Sequence, residues 1–281
     1  MAMSNDRICD KKTTISIIIP NHERDITELL ESVGKEYEVI VVNDNDLCLA
    51  EKRNYGVYKS TGNYLLFIDD DNIVGKFSIN NLLEVFKDER VGIAGMVGMY
   101  SGKQTGEWNK VCDSGATRNL LTGFTHDKYV NQEIFDIWAW EGIIPYEVDE
   151  VSNVFMVKRE VFDKIGLFDQ DNFPIDLDEA DFCLRAKKAG YRVVVAPNAF
   201  TCHNTKRIGL PNFKRPKNAY YMGRNKILFQ RKHNLSLSFV PIFIIVYILC
   251  LLRNPRIIIH FIRGVYAGLR NNTKSPQRYS V

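Results

Sequence analysis

Apolar, β-branched segments alternate with helix-like segments over the first hundred residues, and this alternation is the feature that most restricts the fold. Residues 14–20, 37–43 and 64–68 are predicted strands, and residues 26–33 and 49–59 are predicted helices. Continuous apolar runs are typical of parallel strands that are covered on both faces. Because strands and helices alternate with short connections, the sequence predicts an α/β fold with a doubly wound, mainly parallel sheet.

The pattern weakens over residues 100–150, where the sequence predicts long loops, and regular elements return from residue 154. Open sheets of this class bind ligands beyond the carboxyl ends of their strands. The segments that follow the first three strands, residues 21–24, 43–46 and 69–72, are therefore the first candidates for a site. No GxGxxG follows the first strand and no GxxxxGK[ST] occurs, which argues against dinucleotide and P-loop sites.

Three consecutive carboxylates, Asp69, Asp70 and Asp71, directly follow the apolar run YLLFI. Adjacent carboxylates repel one another, and a bound cation relieves that repulsion. Oxygen ligands suit Mg²⁺ or Mn²⁺, which commonly bridge one or two carboxylates to substrate phosphates. In an extended chain Asp69 and Asp71 point to the same side. The cluster predicts a metal site, with a solvated acidic turn as the alternative.

Six stretches in a fixed order resemble the inverting family 2 glycosyltransferases, which have the glycosyltransferase A fold. They lie between about residues 14 and 225 and are SIIIPNHER, VIVVNDND, EKRNYGVYKSTGNYLLFIDDDN, VKREVFDKIGLFD, DEADFCLRAKKAGYRVVVAPNAFTCH and YYMGRNK. The resemblance implies transfer of a sugar from a nucleoside diphosphate sugar to a hydroxyl, with inversion and with Mn²⁺ or Mg²⁺ as cofactor.

The resemblance also implies roles for individual residues. Asp69 and Asp71 match the DxD element that touches the nucleotide ribose and the metal. The other implied contacts to the donor nucleotide are Pro20, His22, Asp44, Arg53, Asp70 and, near the diphosphate, Arg224. Glu23 and Asn43 stand where the family usually has Asn and Asp. These two departures leave the base of the nucleotide open.

The segment Asp178-Glu179-Ala180-Asp181 precedes a predicted helix. The family pattern aligns its catalytic base with Glu179, with Asp178 as the second candidate. A carboxylate at this place can also serve only as a helix cap. Asp181 is expected to pair with Arg185 one turn later.

Three further positions complete the expected site. His203 ends a strand-like segment, and the resemblance implies a metal or phosphate contact; a buried structural histidine is the alternative. Trp138 and Trp140, with Glu141, are candidates for an acceptor platform on which a sugar stacks. Large aromatic residues in such a segment serve equally often as local core anchors.

Charge is distributed very unevenly along the chain. All 34 acidic residues lie at or before Asp181, and residues 182–281 carry 19 of the 37 Lys and Arg with no acidic residue. A long segment of one sign predicts a polyanionic partner, either nucleic acid or an anionic membrane surface. The apolar composition favours the membrane, so no nucleic-acid partner is expected.

The C-terminal region is predicted to associate with a membrane. Residues 235–252 contain no charge, are interrupted by Pro241 and are flanked by basic residues on both sides, which argues against a simple transmembrane span. Arg256, Arg263 and Arg270 recur every seven residues, as in a helix that lies in the membrane interface. The alternatives are helices packed on the catalytic domain or a contact in an oligomer.

These patterns predict three regions: a catalytic domain over residues 1–205, basic connecting helices over 206–234 and a membrane-associating tail over 235–281. The six scattered cysteines favour a reducing compartment, and hence the cytosolic face of the cell membrane. The expected acceptor is a lipid-linked or surface glycan. The alternatives are a sugar-nucleotide nucleotidyltransferase and a non-enzymatic protein that binds nucleic acid or membrane through the basic tail.

Overall fold

The protein is built on a mixed β-sheet. The computed structural model describes residues 14–102, 109–204, 215–252 and 254–273. Within these ranges, the strands of the main sheet are β1 (Ile15–Pro20), β2 (Glu38–Val42), β3 (Tyr64–Ile68), β4 (Asn72–Val74), β5 (Val91–Tyr100), β6 (Val111–Asp113), β9 (Tyr146–Glu147), β10 (Val154–Lys158) and β11 (Arg192–His203). Their order across the sheet is β2-β1-β3-β10-β5-β11-β4, with β6 paired to β5 and β9 paired to β11.

The prediction of a mainly parallel sheet is correct only in part. Strand β1 is parallel to β2 and β3, and β5 is parallel to β11. Strand β10 lies between β3 and β5 and is antiparallel to both, and β4 is antiparallel to β11. An apolar run indicates a buried strand but not its direction, so the sequence pattern could not distinguish these cases.

Helices cover both faces of the sheet, as the doubly wound prediction requires. On one face, α2 (Leu49–Lys59), α5 (Arg159–Ile165) and α6 (Asp178–Lys188) pack against the sheet, and on the other, α1 (Thr27–Val33) and α3 (Ser78–Glu84) do so. Successive strand residues alternate between the two cores: Phe67 belongs to the first, and Leu66 and Ile68 belong to the second. The strands are therefore apolar on both sides.

The region predicted as loops contains short regular elements. Besides β6 and β9, it holds the hairpin formed by β7 (Ala116–Arg118) and β8 (Thr125–Asp127) and the helix α4 (Ile134–Trp140). Each of these elements has at most seven residues, which is too short to show a clear periodicity in the sequence.

In the described residues after the sheet there are three helices: α7 (Pro216–Lys232), α8 (Val240–Leu251) and α9 (Pro255–Leu269). Helix α9 packs so closely on α7 that a Cβ atom on Gly264 would overlap the Tyr220 carbonyl oxygen. The boundary predicted at residue 235 therefore does not separate two structural units, because α7 shares a core with α8 and α9. No helix in the described part of the chain is long and apolar enough to cross a bilayer.

Candidate active site

The carboxyl edge of the sheet brings together side chains from distant parts of the sequence. Asp69, Asp70 and Asp71 follow β3, and the Asp69 amide donates to the Asn153 carbonyl (3.0 Å), which fixes the start of this segment. Strand β4 then pairs with the end of β11, and this pairing places His203 opposite Asn72. Predicted metal ligands from two separate strands thus meet at one edge.

Arg53 lies at the centre of the site. It is fully buried in α2, where its Nη1 contacts the Asp178 carboxylate at 2.5 Å. Its Nη2 contacts Asp69 Oδ1 at 2.9 Å and Glu179 Oε1 at 2.6 Å. One guanidinium therefore joins the carboxylate segment after β3 to the first turn of α6, in a planar, charge-assisted arrangement.

The surroundings shift the pKa values of the two neighbouring carboxyls of α6, Asp178 and Glu179, in opposite directions. Burial, and then the negative charge of Glu179, raise the pKa of Asp178 well above its usual range. Burial also opposes ionisation of Glu179, but the Arg53 guanidinium and a hydrogen bond with Asp178 outweigh it and lower the pKa of Glu179. Within the pair, the proton is therefore favoured on Asp178 and the negative charge on Glu179. Glu179 is available to accept a proton.

Asp71 and His203 form a second pair next to this cluster. His203 Nε2 lies 3.2 Å from Asp71 Oδ1, and Arg24 Nη1 lies 2.8 Å from Asp71 Oδ2. Burial opposes the charged form of both Asp71 and His203, but their mutual contact outweighs it: the pKa of Asp71 is lowered and that of His203 is raised. The two side chains meet at one point on the edge of the sheet.

The Asp71 and His203 pair fits a divalent cation in part. A carboxylate oxygen and an imidazole nitrogen are suitable ligands for Mn²⁺, and Asp69 lies beside them. In the described ranges, no three His, Cys, Asp or Glu side chains are grouped closely enough to enclose an ion by themselves. A cation at this place would therefore take its remaining ligands from water and from substrate phosphates, as Mg²⁺ commonly does.

Lys52 is a site residue that the sequence analysis missed. It is fully buried, and its Nζ donates to the Asn21 carbonyl (2.6 Å) and lies 3.0 Å from His22 Nδ1. The His22 amide in turn donates to Asp70 Oδ2 at 2.7 Å. Burial, and then the positive charge of Lys52, lower the pKa of His22, which favours a neutral ring. This network links α2 to the segment after β1.

The other predicted nucleotide contacts lie near this network. Pro20 ends β1 beside Val42 of β2. Asp44 is exposed and accepts a hydrogen bond from the Asp46 amide at 3.0 Å. Asn43, one of the two departures from the family pattern, accepts a hydrogen bond from the side-chain amide of Asn21 at 2.9 Å. Arg24, which belongs to the candidate segment 21–24 but had no individual role predicted, contacts Asp70 and Asp71.

A cavity of about 140 Å³ lies beside Glu179. It is lined mostly by carboxylates and small residues: Asp113, Gly115, Ala116, Asp127, Glu150, Val151, Ser152, Asp176, Leu177, Glu179 and Ala180. Burial raises the pKa of both Asp113 and Glu150. The lining offers hydrogen-bond acceptors for the hydroxyl groups of a neutral polar molecule.

The structure gives Arg224 partners other than a diphosphate. It is fully buried, and its Nε and Nη2 donate to the carbonyls of Asn272 (3.1 Å), Asp171 (3.1 Å) and Thr273 (2.5 Å). These bonds tie α7 to the residues that follow α9. A contact with the donor would require the exchange of these bonds, and that role stays a prediction.

The predicted acceptor platform does not line the cavity beside Glu179. Trp138 donates from its ring nitrogen to the Pro197 carbonyl at 2.8 Å, which anchors α4 to β11. Trp140 is 62% exposed and packs against Tyr129, whose hydroxyl donates to Glu141. The contact of Trp138 fits the alternative that this residue is a local core anchor. The acceptor role of Trp138, Trp140 and Glu141 stays a prediction.

A protein family and a related protein match most of the chain. Residues 21–228 match the family described as "Glycosyltransferase like family". The dTDP-rhamnosyl transferase RfbF of Shigella flexneri is 25% identical over 243 residues, covering 75% of this chain and 76% of that protein.

The fold is shared with a solved structure, and a second solved structure is more distant. The crystal structure of GalNAc-T7 with UDP, GalNAc and Mn²⁺ superposes with a TM-score of 0.53 at 14% identity, over 82% of this chain and 56% of that one. This chain therefore spans little more than half of the GalNAc-T7 structure. The crystal structure of S. aureus TarS residues 1–349 gives a TM-score of 0.47 at 14% identity, over 92% of this chain and 74% of that one.

The fold and the family match confirm two predictions from the sequence, an α/β architecture of the glycosyltransferase A type and glycosyltransferase activity. The match covers most of the chain, from the segment after β1 to α7, and includes Arg53, Asp69, Asp71 and Glu179. The chain belongs to the glycosyltransferase-like family of the family 2 type and is a glycosyltransferase.

Proposed function

We propose that this enzyme transfers a sugar from a nucleoside diphosphate sugar to a hydroxyl acceptor with inversion, and that Glu179 is the catalytic base. The observation that carries the proposal is the contact of one buried guanidinium, that of Arg53, with Asp69, Asp178 and Glu179. It brings the base next to the segment that is expected to hold the donor. It also keeps Glu179 ionised, the state that a base requires.

The reaction is a single displacement. The acceptor hydroxyl lies against Glu179, and its oxygen attacks the anomeric carbon from the face opposite the diphosphate. The new carbon–oxygen bond forms as the bond to the phosphate oxygen breaks, and that oxygen takes the electron pair. Glu179 receives the hydroxyl proton. The cavity beside Glu179 is the proposed place of the acceptor.

Asp69, Asp71 and His203 are the proposed ligands of Mn²⁺ or Mg²⁺. The contact between Asp71 and His203 supports this choice, because both side chains are suitable ligands and already lie together. The cation would supply positive charge to the leaving diphosphate. Arg24, which is half exposed, contacts Asp71 and can bind the same anionic group.

The segments after β1 and β2 are the proposed nucleotide-binding surface. His22, held by Lys52 and kept neutral, presents a ring that can stack on a base. The relative in Shigella flexneri is named as a dTDP-rhamnosyl transferase, so dTDP and UDP sugars are the first donors to assay. The family assignment favours sugar transfer over the nucleotidyltransferase alternative.

The proposed acceptor is a lipid-linked or surface glycan at the cytosolic face of the membrane. Helix α8 supports this, because the side chains of Ile242, Ile245 and Leu249 are about 60% exposed there. Arg263 on α9 and Arg270, which directly follows α9, are also exposed. Exposed apolar residues beside basic residues are typical of a helix pair that lies on an anionic bilayer.

Replacement of Glu179 by Gln tests the assignment of the base. Because only proton removal is lost, we expect turnover to fall by about 10²–10⁴-fold. Binding of dTDP or UDP, measured as a thermal shift with Mn²⁺, should change little. Turnover is measured as transfer of labelled sugar to a membrane lipid fraction. Glu160→Gln, at an exposed position on α5, is the matched control.

Unchanged turnover in Glu179→Gln would reject the base, and a larger loss in Asp178→Asn would exchange the two roles. A product that retains the anomeric configuration of the donor would reject the single displacement.

A further inference from the structure

The β7–β8 hairpin connects the acceptor cavity to the C-terminal helices. At its base, Ala116 and Asp127 line the cavity that contains Glu179. On its side, the ring of Phe124 meets the ring of Phe239, which begins α8, with centroids 6.4 Å apart. A single short element thus reaches from the proposed catalytic base to the exposed apolar helices.

Arg118 holds this hairpin in a fixed position. Its Nη1 donates to the Gly123 carbonyl at 3.1 Å, and its Nη2 contacts Glu150 at 2.5 Å. The guanidinium lies over the ring of Phe229 in α7, 4.6 Å from the ring centroid. Through Arg118, the turn of the hairpin is therefore joined both to the cavity wall and to α7.

The tip exposes two neighbouring leucines. Leu120 is 46% exposed and Leu121 is 73% exposed. Single exposed leucines are common on protein surfaces and need no explanation. These two are adjacent, stand at the end of a braced hairpin and belong to the element that packs on α8, whose own exposed face is apolar.

We propose that the tip of this hairpin inserts into an anionic lipid bilayer together with α8 and α9, and that it holds the acceptor cavity at the membrane surface. The proposal rests on the membrane-bound acceptor proposed above. An anionic bilayer fits as the partner because the charge is complementary: no acidic residue follows Asp181, and Arg263 on α9 and Arg270 directly after it are exposed. The head group of a lipid-linked acceptor would then reach Glu179 along the hairpin, while its lipid stays in the membrane.

The test measures binding of the full chain to vesicles of phosphatidylcholine and phosphatidylglycerol by sedimentation. Because burial of even one leucine in apolar surroundings is worth about tenfold in affinity or more, Leu120→Ser/Leu121→Ser should weaken vesicle binding by at least about tenfold. Thermal shift with dTDP should remain as in the wild type. The matched control is Leu30→Ser/Leu167→Ser, which changes two exposed leucines on other elements.

A reference variant, Ile245→Ser/Leu249→Ser, separates this inference from the membrane proposal as a whole. If it loses vesicle binding while the hairpin variant binds as the wild type does, the hairpin proposal is overturned and the membrane proposal stands. A wild-type protein that fails to bind the vesicles overturns both. A fluorophore on Leu121→Cys that brominated lipids quench more than one on Leu30→Cys supports insertion, and equal quenching contradicts it.

Discussion

At the scale of single residues, the ionisation of the site depends on Arg53. Its burial would be costly without partners, and Asp69, Asp178 and Glu179 supply three. The pKa of Arg53 lies well above its usual value, because these charges outweigh its burial. Removal of Arg53 would leave buried carboxylates unpaired, which typically costs about 3–5 kcal/mol. Variants of Arg53 would therefore confound stability with catalysis, and Glu179 is the cleaner probe.

Metal binding can be tested at Asp71. Asp71→Asn keeps the size of the side chain but removes its charge, so Mn²⁺ affinity in the presence of dTDP should fall by at least about tenfold, and turnover should fall with it. Electron paramagnetic resonance of free Mn²⁺ measures the binding directly. Asp163→Asn, at an exposed position on α5, is the control. Equal Mn²⁺ binding by both variants, or full turnover in EDTA, would contradict the metal assignment.

The sequence predicted which chemical groups meet but not all of their contacts. Asp69, Asp71, Glu179 and His203 were expected together from the order of their motifs, and the structure places them at one edge. Lys52 was missed because Glu51, Lys52 and Arg53 are consecutive charges on a helix, and Lys and Arg are seldom fully buried. Only the fold shows that α2 turns both cations inward.

At the scale of elements, Asp181 fastens the catalytic helix α6 to α7. The carboxylate is fully buried, and Arg185 Nε (2.8 Å), Lys232 Nζ (2.6 Å) and His233 Nε2 (2.9 Å) surround it. His233 also lies 3.2 Å from Lys188 Nζ. Burial raises the pKa of Asp181, but these partners outweigh it and lower the pKa to about 2. The predicted pairing of Asp181 with Arg185 is confirmed.

This depressed pKa gives a stability prediction. The charge of Asp181 stabilises the fold fully above the unfolded-state pKa near 4, and the effect is lost as pH falls toward 2. Asp181→Asn should therefore be less stable at neutral pH, by on the order of 2 kcal/mol, and the difference should shrink as pH falls from 4 to 2. Urea unfolding at several pH values measures it. A difference that does not depend on pH would contradict the assignment.

The contact between α7 and α9 depends on glycine. A Cβ atom on Gly264 would overlap the Tyr220 carbonyl oxygen, which is backbone and cannot rotate away. Gly264→Ala should therefore force the helices apart and destabilise the protein by about 1–3 kcal/mol, although alanine favours helix. Arg263→Ala, at the exposed neighbouring position, is the control in the same thermal unfolding experiment. Equal melting temperatures for both variants would contradict the close contact.

Local pattern gave the position of most elements but neither strand direction nor helix packing. The predicted bounds of β3 and α2 agree with the structure, because polar or turn-forming residues directly follow each of them in the sequence. The antiparallel insertion of β10 between β3 and β5 is a long-range property that no local period encodes. Gly223 and Gly264 lie at the close contact between α7 and α9. Glycine within a helix is a local sign of such a contact, but the apolar character of the region obscured it in the sequence.

At the scale of the whole molecule, the uneven charge of the sequence becomes two regions of the structure. The part up to Asp181 contains most of the sheet and of the site, and the part without acidic residues contains β11, which ends at His203, and α7, α8 and α9. The exposed apolar residues of α8 lie in this second part. Since α7 packs on α6 through Phe229 and Ala180, the basic region is firmly attached to the catalytic helix. An anionic surface bound to α8 and α9 would therefore have a fixed orientation relative to Glu179.

The electrostatic part of this membrane proposal can be separated from the apolar part. A basic residue near an anionic bilayer contributes about 1 kcal/mol, or roughly fivefold in affinity. Arg263→Gln/Arg270→Gln should therefore weaken binding to phosphatidylglycerol vesicles by about 25-fold at low salt, because both residues are exposed, one on α9 and one directly after it. Screening should shrink the difference as the salt concentration rises. Lys87→Gln/Arg90→Gln removes the same net charge from exposed positions near β5 and is the control. Equal weakening by both double variants would show that only net charge matters, and α9 would then have no special place at the membrane.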